Sequence, residues 1–416
     1  MESRYVAGDQ VSRMLHRDSR LLIVLLGALT AIGPFTTDTF IPSMPSIRDH
    51  FGVEMGSVQM TLSLAMLGGA IGQLFHGPLS DRFGRRPVLL GGLCIYVVAS
   101  CGCLFASSIG ELIASRFFQG FGSMAAPVLA RAMVRDLHER DAVARMLALM
   151  GIVNGLGPIL APIIGGVLLA WFDWRASFVF ITGYGLVLVG LVWGFLGESV
   201  RAKDPEALRP ARLLRVSGML LRSRVFVGYM LVNCFMFGGL GAYLSGVSFV
   251  VLRVLEVPTQ YFGLVFGAIM AGNISGYIVS GRVVRLLGAE GTLRLGTGGV
   301  AVAGVLLAGF AWAGVYHVVT LVVPMMLYMF CVAQTGPQAI AGALTPFPRA
   351  AGTASSLMGF FQSSTSAAVG MGVALAFDGT PRALASFVCL MGVSTLAVYW
   401  LVVRRIPEEE RARVHG

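Results

Sequence analysis

The sequence predicts an all-α membrane protein with twelve transmembrane helices in two pseudo-symmetric six-helix halves. Three observations predict it: the composition, the number and length of the apolar runs, and the placement of the arginines. Of the 416 residues, 56% are hydrophobic and only 12% are charged, whereas about a quarter of the residues in a soluble globular domain are charged. A water-soluble fold of this length could not bury so much apolar surface, so much of it is expected to face lipid.

Twelve apolar runs are each long enough to cross a bilayer, which needs about 20 residues of helix. A backbone inside lipid must satisfy its own hydrogen bonds, so each run is a helix or a barrel strand. The alternating pattern of barrel strands is absent, which favours helices. The predicted spans are 21–44, 57–78, 87–106, 111–133, 144–170, 175–196, 225–251, 261–284, 291–312, 316–342, 351–377 and 383–403.

The placement of the arginines predicts the orientation. With a cytoplasmic N-terminus, only Arg48, Arg175, Arg253 and Arg382 lie in outer loops and Arg116 lies inside a span, which leaves 26 of the 31 basic residues on the inner side. Basic residues accumulate on the cytoplasmic side of membrane proteins, so both termini are expected there. The formal charge of +10 then belongs to the inner surface beside anionic lipid, and no nucleic-acid partner is expected.

The longest inner loop divides the chain into two halves. The loops after spans two and eight, at 77–90 and 280–293, form a weak internal repeat with glycines and arginines in similar places. Two similar six-helix halves are typical of transporters whose site lies between the halves. The predicted segments are a cytoplasmic N-terminal tail at 1–20, a six-helix half at 21–197, a cytoplasmic central loop at 198–224, a second six-helix half at 225–404 and a cytoplasmic tail at 405–416.

The loop after span two, GPLSDRFGRRP, resembles the signature loop of the major facilitator superfamily. Its glycines permit a sharp turn and close packing, and its aspartate can pair with an arginine or a helix N-terminus. The resemblance implies a latch on the inner gate, and the alternative is a basic loop that only fixes the topology. The residues concerned are Gly77, Asp81, Arg82, Gly84, Arg85 and Arg86.

Asp38 is the only acidic residue that the sequence places well inside a predicted span. A charged side chain there costs ~3 kcal/mol or more on insertion scales, so it needs a functional reason. Burial disfavours the charged form of a carboxyl group, which suits a proton carrier. A structural or interfacial aspartate is the alternative, because Pro42 and Pro45 predict that the helix ends soon after Asp38.

Span four carries a second motif of the same superfamily, the arginine–glutamine–glycine pattern of Arg116, Gln119 and Gly120. Arg116 and Asp38 both fall in the outer halves of their spans, so they are expected to meet directly or through water. A cation there would favour release of the proton from Asp38. The alternative is an arginine that reaches the outer interface.

Span five is rich in glycine and proline and resembles the motif of the exporter branches of this superfamily. Prolines kink a helix and glycines permit close packing, so the resemblance implies a hinge-like antiporter helix. Ordinary membrane packing is the alternative. The residues are Gly151, Gly155, Gly157, Pro158, Pro162, Gly165 and Gly166.

Three further stretches resemble the bicyclomycin- and chloramphenicol-resistance (Bcr/CflA) exporters, and the resemblance covers essentially the whole chain. They are TTDTFIPSMP at 36–45, ARAMVRDLHERDAVARM at 130–146 and PRAAGTASSLMGFFQ at 348–362. The resemblance implies a monomer in the bacterial inner membrane that exports amphipathic, drug-like molecules in exchange for protons. Thr39 and Phe40 depart from the related pattern, so the substrate does not carry over.

Polar and aromatic side chains inside the spans are candidates for the substrate cavity, and helix packing is the alternative for each. They are Gln119, Asn154, Asn233, Phe237, Tyr243, Asn273, Gln334 and Gln362, with Met66 as an adaptable apolar wall.

No metal and no cofactor are expected, because the six cysteines lie in apolar runs without metal-ligand spacing and no P-loop is present. A transporter of an endogenous metabolite with the same fold is the main alternative function. A membrane-embedded enzyme is a remote one, because it needs clustered acids, histidines or cysteines. The candidate acids Asp38, Glu111, Asp173 and Asp378 lie on separate segments.

Overall fold

The structure is a computed structural model that describes residues 20–137, 140–200, 203–204, 207, 209–347 and 350–407. Regular structure in these residues is helical, and no β-strand occurs among them. The helices are α1 (Arg20–Asp38), α2 (Met44–Phe51), α3 (Met55–Phe83), α4 (Arg85–Leu104), α5 (Ile109–Ser123), α6 (Ala125–Leu137), α7 (Arg140–Trp171), α8 (Arg175–Phe195), α9 (Pro210–Arg222), α10 (Arg224–Phe249), α11 (Thr259–Trp312), α12 (Val318–Leu344), α13 (Ala351–Leu375) and α14 (Arg382–Leu401). Short 3-10 turns lie at Ile41–Ser43 and Val403–Arg405, and a π-helical turn at Val250–Val254 follows α10.

In the described residues, eight helical segments are long and apolar enough to cross a membrane. Each of the predicted spans overlaps one of the helices or a part of one. α11 has 54 residues and would be about 80 Å long at 1.5 Å per residue, more than twice a bilayer core of about 30 Å. It is interrupted at Gly288, whose φ of 70° is left-handed, between the positions of the eighth and ninth predicted spans.

Two predicted spans are broken by proline. α1 ends at Asp38, as Pro42 and Pro45 predict, and the chain continues through a 3-10 turn into α2. The predicted span 111–133 is interrupted at Met124, between α5 and α6. Pro127 has no N–H to donate to the carbonyl of Ser123, and this missing hydrogen bond favours an interruption of the helix there.

The central loop contains a helix that the sequence analysis did not predict. α9 occupies 210–222 and begins with Pro210 at its first position. That position tolerates proline because its N–H would have no partner inside the helix. The leucines and arginines of the segment recur at helical spacing, and this periodicity was the available signal.

The helices pack as two groups. In the first, α1 packs on α7, α3 and α4 pack on α5, and α4 packs on α8; in the second, α10 packs on α13 and α14, and α11 packs on α12 and α14. The groups meet where α3 crosses α13 and where α7 crosses α11. A buried core built mainly from 22–196 and two others built mainly from 220–406 follow the same grouping.

Glycine allows the closest helix crossing of the first group, between α3 and α5. A Cβ at Gly120 would overlap the backbone carbonyl of Ala65, and a Cβ at Gly68 would overlap the carbonyl of Phe117. Small residues that let two backbones approach are how helices associate in a membrane, where lipid is as apolar as the helix surface.

Each end of the bundle has a cavity. At one end, called the Asp49 end, Asp49 of α2 lines a cavity of about 840 Å³ and pairs with Arg253 of the π-helical turn, which joins the two groups of helices. At the other, called the Asp81 end, a cavity of about 870 Å³ lies beside Asp81. Gly56 of α3 also approaches the backbone of Ala374 at the Asp49 end.

Candidate functional site

Asp38 is the last residue of α1 and is only 6% exposed. In the described part of the chain, no hydrogen bond or ion pair to its carboxyl group is found. Tyr243 of α10 is fully buried and lies near Asp38. The Tyr243 hydroxyl also lacks a hydrogen-bond partner among the described residues. Charging a carboxyl group in such surroundings is costly unless a cation or water reaches it.

Arg116 of α5 is completely buried beside α1. One terminal nitrogen of its guanidinium donates hydrogen bonds to the backbone carbonyl of Thr36, at 3.2 Å, and to the side-chain oxygen of Gln119. The guanidinium carbon lies 4.5 Å from the centre of the Phe40 ring, a cation–π geometry. The Nε atom and the other terminal nitrogen have no partner in the described residues. Arg116 is therefore a buried cation with unused donors.

A direct ion pair between Asp38 and Arg116 is not formed in this structure, since their charged groups do not come within 4.0 Å. Arg116 nevertheless contacts the short stretch of chain that contains Asp38. Arg116 binds the carbonyl of Thr36, two residues before Asp38, and covers Phe40, two residues after it. A small change in this stretch is enough to alter the separation of the two charges.

Gln119, predicted for the substrate cavity, lies in this buried network. Its amide nitrogen donates to the hydroxyl of Ser100 on α4 at 2.7 Å. The Thr36 and Tyr96 hydroxyls are 2.9 Å apart and add a second link between α1 and α4. These bonds fix Arg116 relative to three helices.

The glycines of α7 lie against the end of α1. A Cβ at Gly157 would come within 2.7 Å of Pro34, and one at Gly165 would overlap the backbone of Thr39, the residue after Asp38. A Cβ at Gly166 would lie 3.3 Å from the backbone carbonyl oxygen of Thr259, at the start of α11. The predicted motif thus places α7 between Asp38 and the second group of helices.

The remaining residues of that motif lie along the same helix. Pro158 and Pro162 are inside α7. The side-chain environments of Gly151, Asn154 and Gly155 lie outside the part of the chain that the structure describes.

The turn between α3 and α4 is built by Gly84, whose φ of 110° is left-handed. At this turn the guanidinium of Arg85 donates to Asp81, to the Ser80 hydroxyl at 2.6 Å and, through Nε, to Asp136 at 3.0 Å. Burial lowers the pKa of Arg85, but the hydrogen bonds and charges of Asp136 and Asp81 outweigh it and raise the pKa. The arginine therefore stays charged and ties α3 to α6.

Two acidic residues of this cluster were missed by the sequence analysis. Glu198 accepts the backbone N–H groups of Arg85, at 2.9 Å, and Arg86, at 3.3 Å, and so binds the first N–H groups of α4. Asp136 accepts from Arg85 and from the Ser199 hydroxyl at 3.0 Å. Asp136 lies in the stretch 130–146 that resembles exporters, which was the available signal.

The other residues of the predicted latch are also at the Asp81 end. Arg86 donates to the backbone carbonyl of Trp193 at 2.7 Å, and Arg82 lies over the Phe83 ring. A Cβ at Gly77 would be 3.7 Å from the Ser356 hydroxyl of α13, so this glycine borders the second group of helices.

The 870 Å³ cavity opens beside this cluster. Its polar lining includes Gln73, Asp81, Arg85 and Asp204. The backbone N–H of Asp204 donates to the carbonyl of Asp81 at 3.0 Å, which ties the central connection to the cavity wall. The apolar lining is Leu74, Phe75, Val128, Leu129, Leu214, Val216, Met219 and Leu357.

The predicted cavity residues whose side chains the structure describes do not line this cavity. Asn233 of α10 donates to Gln362 of α13 at 2.7 Å. Asn273 and Gln334 donate to backbone carbonyls and join α11 to α12, at 3.2 and 2.8 Å. These amides hold helices together, because a buried amide is satisfied most simply by a neighbouring carbonyl.

Two aromatic candidates and Met66 pack in the core of the second group. Tyr243 is fully buried there, and its ring centre lies 5.8 Å from that of Phe266. Phe237 and Met66 are partly buried against the same core.

Gln73 of α3 is a polar cavity residue that was not predicted from the sequence. Its amide donates to the Ser363 hydroxyl of α13 at 3.3 Å and to the Met124 sulfur at 3.4 Å. It therefore bridges the two groups of helices and lines the cavity. A lone amide inside the apolar run of span two was the available signal.

The sequence from residue 24 to residue 371 matches the family described as the Major Facilitator Superfamily. The chain belongs to the major facilitator superfamily. It is a membrane transporter of that family and not an enzyme. In the residues that the structure describes, no group of three or more histidines, cysteines or acids is placed to hold a metal ion.

The transporter is similar over nearly its whole length to proteins named for drug resistance. It is 31% identical to the "Bicyclomycin resistance protein homolog" of Haemophilus influenzae, over 93% of this chain and 97% of that protein. It is also 31% identical to "Multidrug resistance protein D" of Escherichia coli, over 91% and 95% of the two chains. The resemblance inferred from the motifs is confirmed.

The fold is shared with solved transporters of the superfamily. The structure matches the partially occluded, inward-open xylose transporter XylE from Escherichia coli with a TM-score of 0.71, over 93% of this chain and 98% of that one. The sequence identity of 18% makes this a likeness of fold alone. The all-α membrane fold predicted from the sequence is confirmed.

Proposed function

We propose that this transporter exports drug-like small molecules in exchange for protons, with Asp38 as the proton carrier. Two findings support the proposal. The relatives that match over the whole chain include proteins named for bicyclomycin and multidrug resistance. Asp38 is a buried carboxyl group without an ion-pair partner in the described residues, and such a group in a transporter is a natural proton site.

The position of Asp38 supports a coupling role because it lies where the two groups of helices meet. It belongs to α1, its neighbour Thr39 packs against Gly165 of α7, and Tyr243 of α10 lies nearby. Protonation of Asp38 removes a charge from this junction. Coupling follows if the proton and the substrate bind the two conformations with different affinities.

Arg116 is assigned the role of a fixed cation that favours release of the proton. Its two unpartnered nitrogen atoms are available to a carboxylate or to water. Movement of the 36–40 stretch, which Arg116 already holds at both ends, would bring Asp38 and Arg116 together in another state of the cycle. An opposite charge nearby stabilises the ionised carboxylate.

The topology proposed here is twelve spans with both termini in the cytoplasm. α5 and α6 together form one span broken at Met124, and α11 forms two spans that meet at Gly288. Six spans then lie in 21–197 and six in 225–404, joined by a cytoplasmic loop at 198–224 and flanked by cytoplasmic tails at 1–20 and 405–416. The proposed location is the bacterial inner membrane, and the proposed working unit is a monomer.

In this orientation the Asp81 end is cytoplasmic. The Arg85 cluster then acts as the latch of the inner gate, and the Asp49–Arg253 pair holds the outer side together. A cavity of about 870 Å³ is within the range of sites for drug-sized ligands, about 300–1,000 Å³. Its mixture of apolar walls and acidic groups suits amphipathic molecules and supports export of that class.

The test uses everted membrane vesicles with an imposed proton gradient. A panel of amphenicols and other amphipathic drugs is added, and drug-dependent proton movement is recorded for the wild type, Asp38→Asn and Asp38→Glu. We expect proton movement in the wild type, none in Asp38→Asn and partial recovery in Asp38→Glu. Normal exchange in Asp38→Asn would remove Asp38 from the mechanism. Absence of a response to every drug in the wild type would point to a cell metabolite as the substrate.

A further inference from the structure

α9 presents two exposed stripes, and one residue of the apolar stripe, Leu214, also lines the 870 Å³ cavity. Leu214 and Leu221 are seven residues apart, close to two helical turns, and are 72% and 40% exposed. Arg215 and Arg222 have the same spacing, are also exposed, and form an adjacent stripe about 100° around the helix. The opposite side is bound to the protein, because Leu220 is completely buried in the core that contains Phe226 and Leu357.

The position of α9 places these stripes at a membrane boundary. With 13 residues the helix is about 20 Å long, which is too short to cross a bilayer core of about 30 Å. Only Ser223 separates it from α10, the first helix of the second group and long and apolar enough to cross the membrane. α9 therefore lies at the level where that span begins.

The positive charge of α9 favours an anionic binding partner. The segment PARLLRVSGMLLR contains three arginines and no acidic residue. A basic helix with an apolar stripe binds in the plane of an anionic membrane, with the apolar side chains inserted and the arginines near the phosphates. A neutral lipid surface would leave those arginines without counter-charges.

We propose that α9 docks on anionic phospholipid headgroups of the adjacent leaflet, with Leu221 inserted and Arg215 and Arg222 bound to phosphates. Leu214 and Met219 also line the 870 Å³ cavity. Docking of α9 therefore fixes one wall of that cavity against the membrane. The proposal is independent of the substrate and of proton coupling.

The first test measures contact between α9 and lipid directly. A Cβ at Gly218 would meet no atom within 4 Å, so a fluorophore attached through Gly218→Cys is tolerated. The full chain, with its six native cysteines replaced by alanine, is placed in nanodiscs of brominated phosphatidylglycerol or brominated phosphatidylcholine. We expect strong quenching by the anionic lipid at a low mole fraction and weaker quenching by the zwitterionic one. Equal quenching by both lipids, or none, would overturn the proposal.

The second test determines whether Arg215 and Arg222 bind the lipid, and it uses the chain with its native cysteines. The rise in melting temperature on addition of phosphatidylglycerol to detergent-purified protein gives an apparent affinity. Each arginine near a charged membrane surface contributes about fivefold in binding affinity. The double substitution Arg215→Gln with Arg222→Gln is therefore expected to weaken lipid binding roughly 30-fold. Arg282→Gln with Arg285→Gln removes the same charge from exposed positions on α11 and is expected to have little effect. Equal weakening by both pairs would show that lipid binds by overall charge and not at α9.

Discussion

Asp49 and Arg253 form an ion pair that joins the two groups of helices at the end of the bundle opposite Asp81. Their side chains are 45% and 44% exposed, so solvent screens the pair. Exposed pairs of this kind contribute ~0.2–1 kcal/mol. A contribution of that size changes the ratio of two conformations by up to about fivefold, which is enough to bias a transporter without locking it.

Arg253→Gln is therefore expected to increase the population that is open at the Asp49 end, by up to about fivefold. The measurement is the distance distribution between spin labels placed near the ends of α2 and α10. Arg253→Lys, which keeps the charge opposite Asp49, should preserve the original distribution. Asp173→Asn is the control, because the Asp173–Arg175 contact lies within one segment. An unchanged distribution in Arg253→Gln would show that the pair has no part in closure.

Substitution of Gly120 tests the close crossing of α3 and α5 in the first group of helices. In Gly120→Ala the new methyl group would overlap the backbone carbonyl of Ala65, and neither backbone can move alone. We expect a loss of about 1–3 kcal/mol in the free energy of unfolding, seen as a lower melting temperature in detergent. Gly190→Ala on α8 is the control, because no atom lies within 4 Å of the new Cβ. A melting temperature that does not fall in Gly120→Ala would mean that α3 and α5 can separate freely.

The melting temperature of Asp38→Asn shows whether Asp38 has a functional or a structural role. Because its carboxyl group makes no hydrogen bond or ion pair in the described part of the chain, Asp38→Asn is expected to leave the melting temperature unchanged or raised. Tyr243→Phe removes a hydroxyl group without a partner and should also fold normally. A large fall in melting temperature for Asp38→Asn would assign the residue to structure, and its loss of transport would then carry no information about protons.

The positions of the helices could be predicted from the sequence because the signal is local. A run of about 20 apolar residues has only one inexpensive conformation in lipid, and the breaks at Asp38 and Met124 follow from nearby prolines. α9 was not predicted because the amphipathic segment is short and lies inside a polar loop. A helix at the membrane boundary needs only half of its surface to be apolar.

The site was harder to predict because its contacts join distant parts of the chain. Nothing near Arg85 in sequence indicates that Glu198 binds the N-terminus of α4, more than one hundred residues away. Arg116 and Asp38 were expected to meet, and the structure places Arg116 against residues on both sides of Asp38. The sequence could not show that Phe40 and Thr36, and not Asp38, contact Arg116 in this conformation.

Glu198 is expected to stabilise the start of α4. Its carboxylate accepts the N–H groups of Arg85 and Arg86, where the helix dipole favours negative charge by about 0.3–1 kcal/mol. Glu198→Gln should lower the melting temperature and slow exchange between conformations. Glu54→Gln is the control, because Glu54 stands before α3 and makes no capping hydrogen bond. Equal effects of the two substitutions would attribute the result to net charge.

Gln73 is expected to select among substrates. It lines the cavity and donates to Ser363 and Met124, so a bound molecule with a polar group can replace either partner. Loss of one hydrogen bond is worth about 0.5–1.5 kcal/mol, so Gln73→Ala should raise KM about twofold to tenfold for polar drugs. Purely apolar drugs should be affected less. Asn273→Ala is the control, since Asn273 bonds only to a backbone carbonyl of α12 and should alter stability and not selectivity. A change in kcat that is the same for every drug, with KM constant, would reduce Gln73 to a link between α3 and α13.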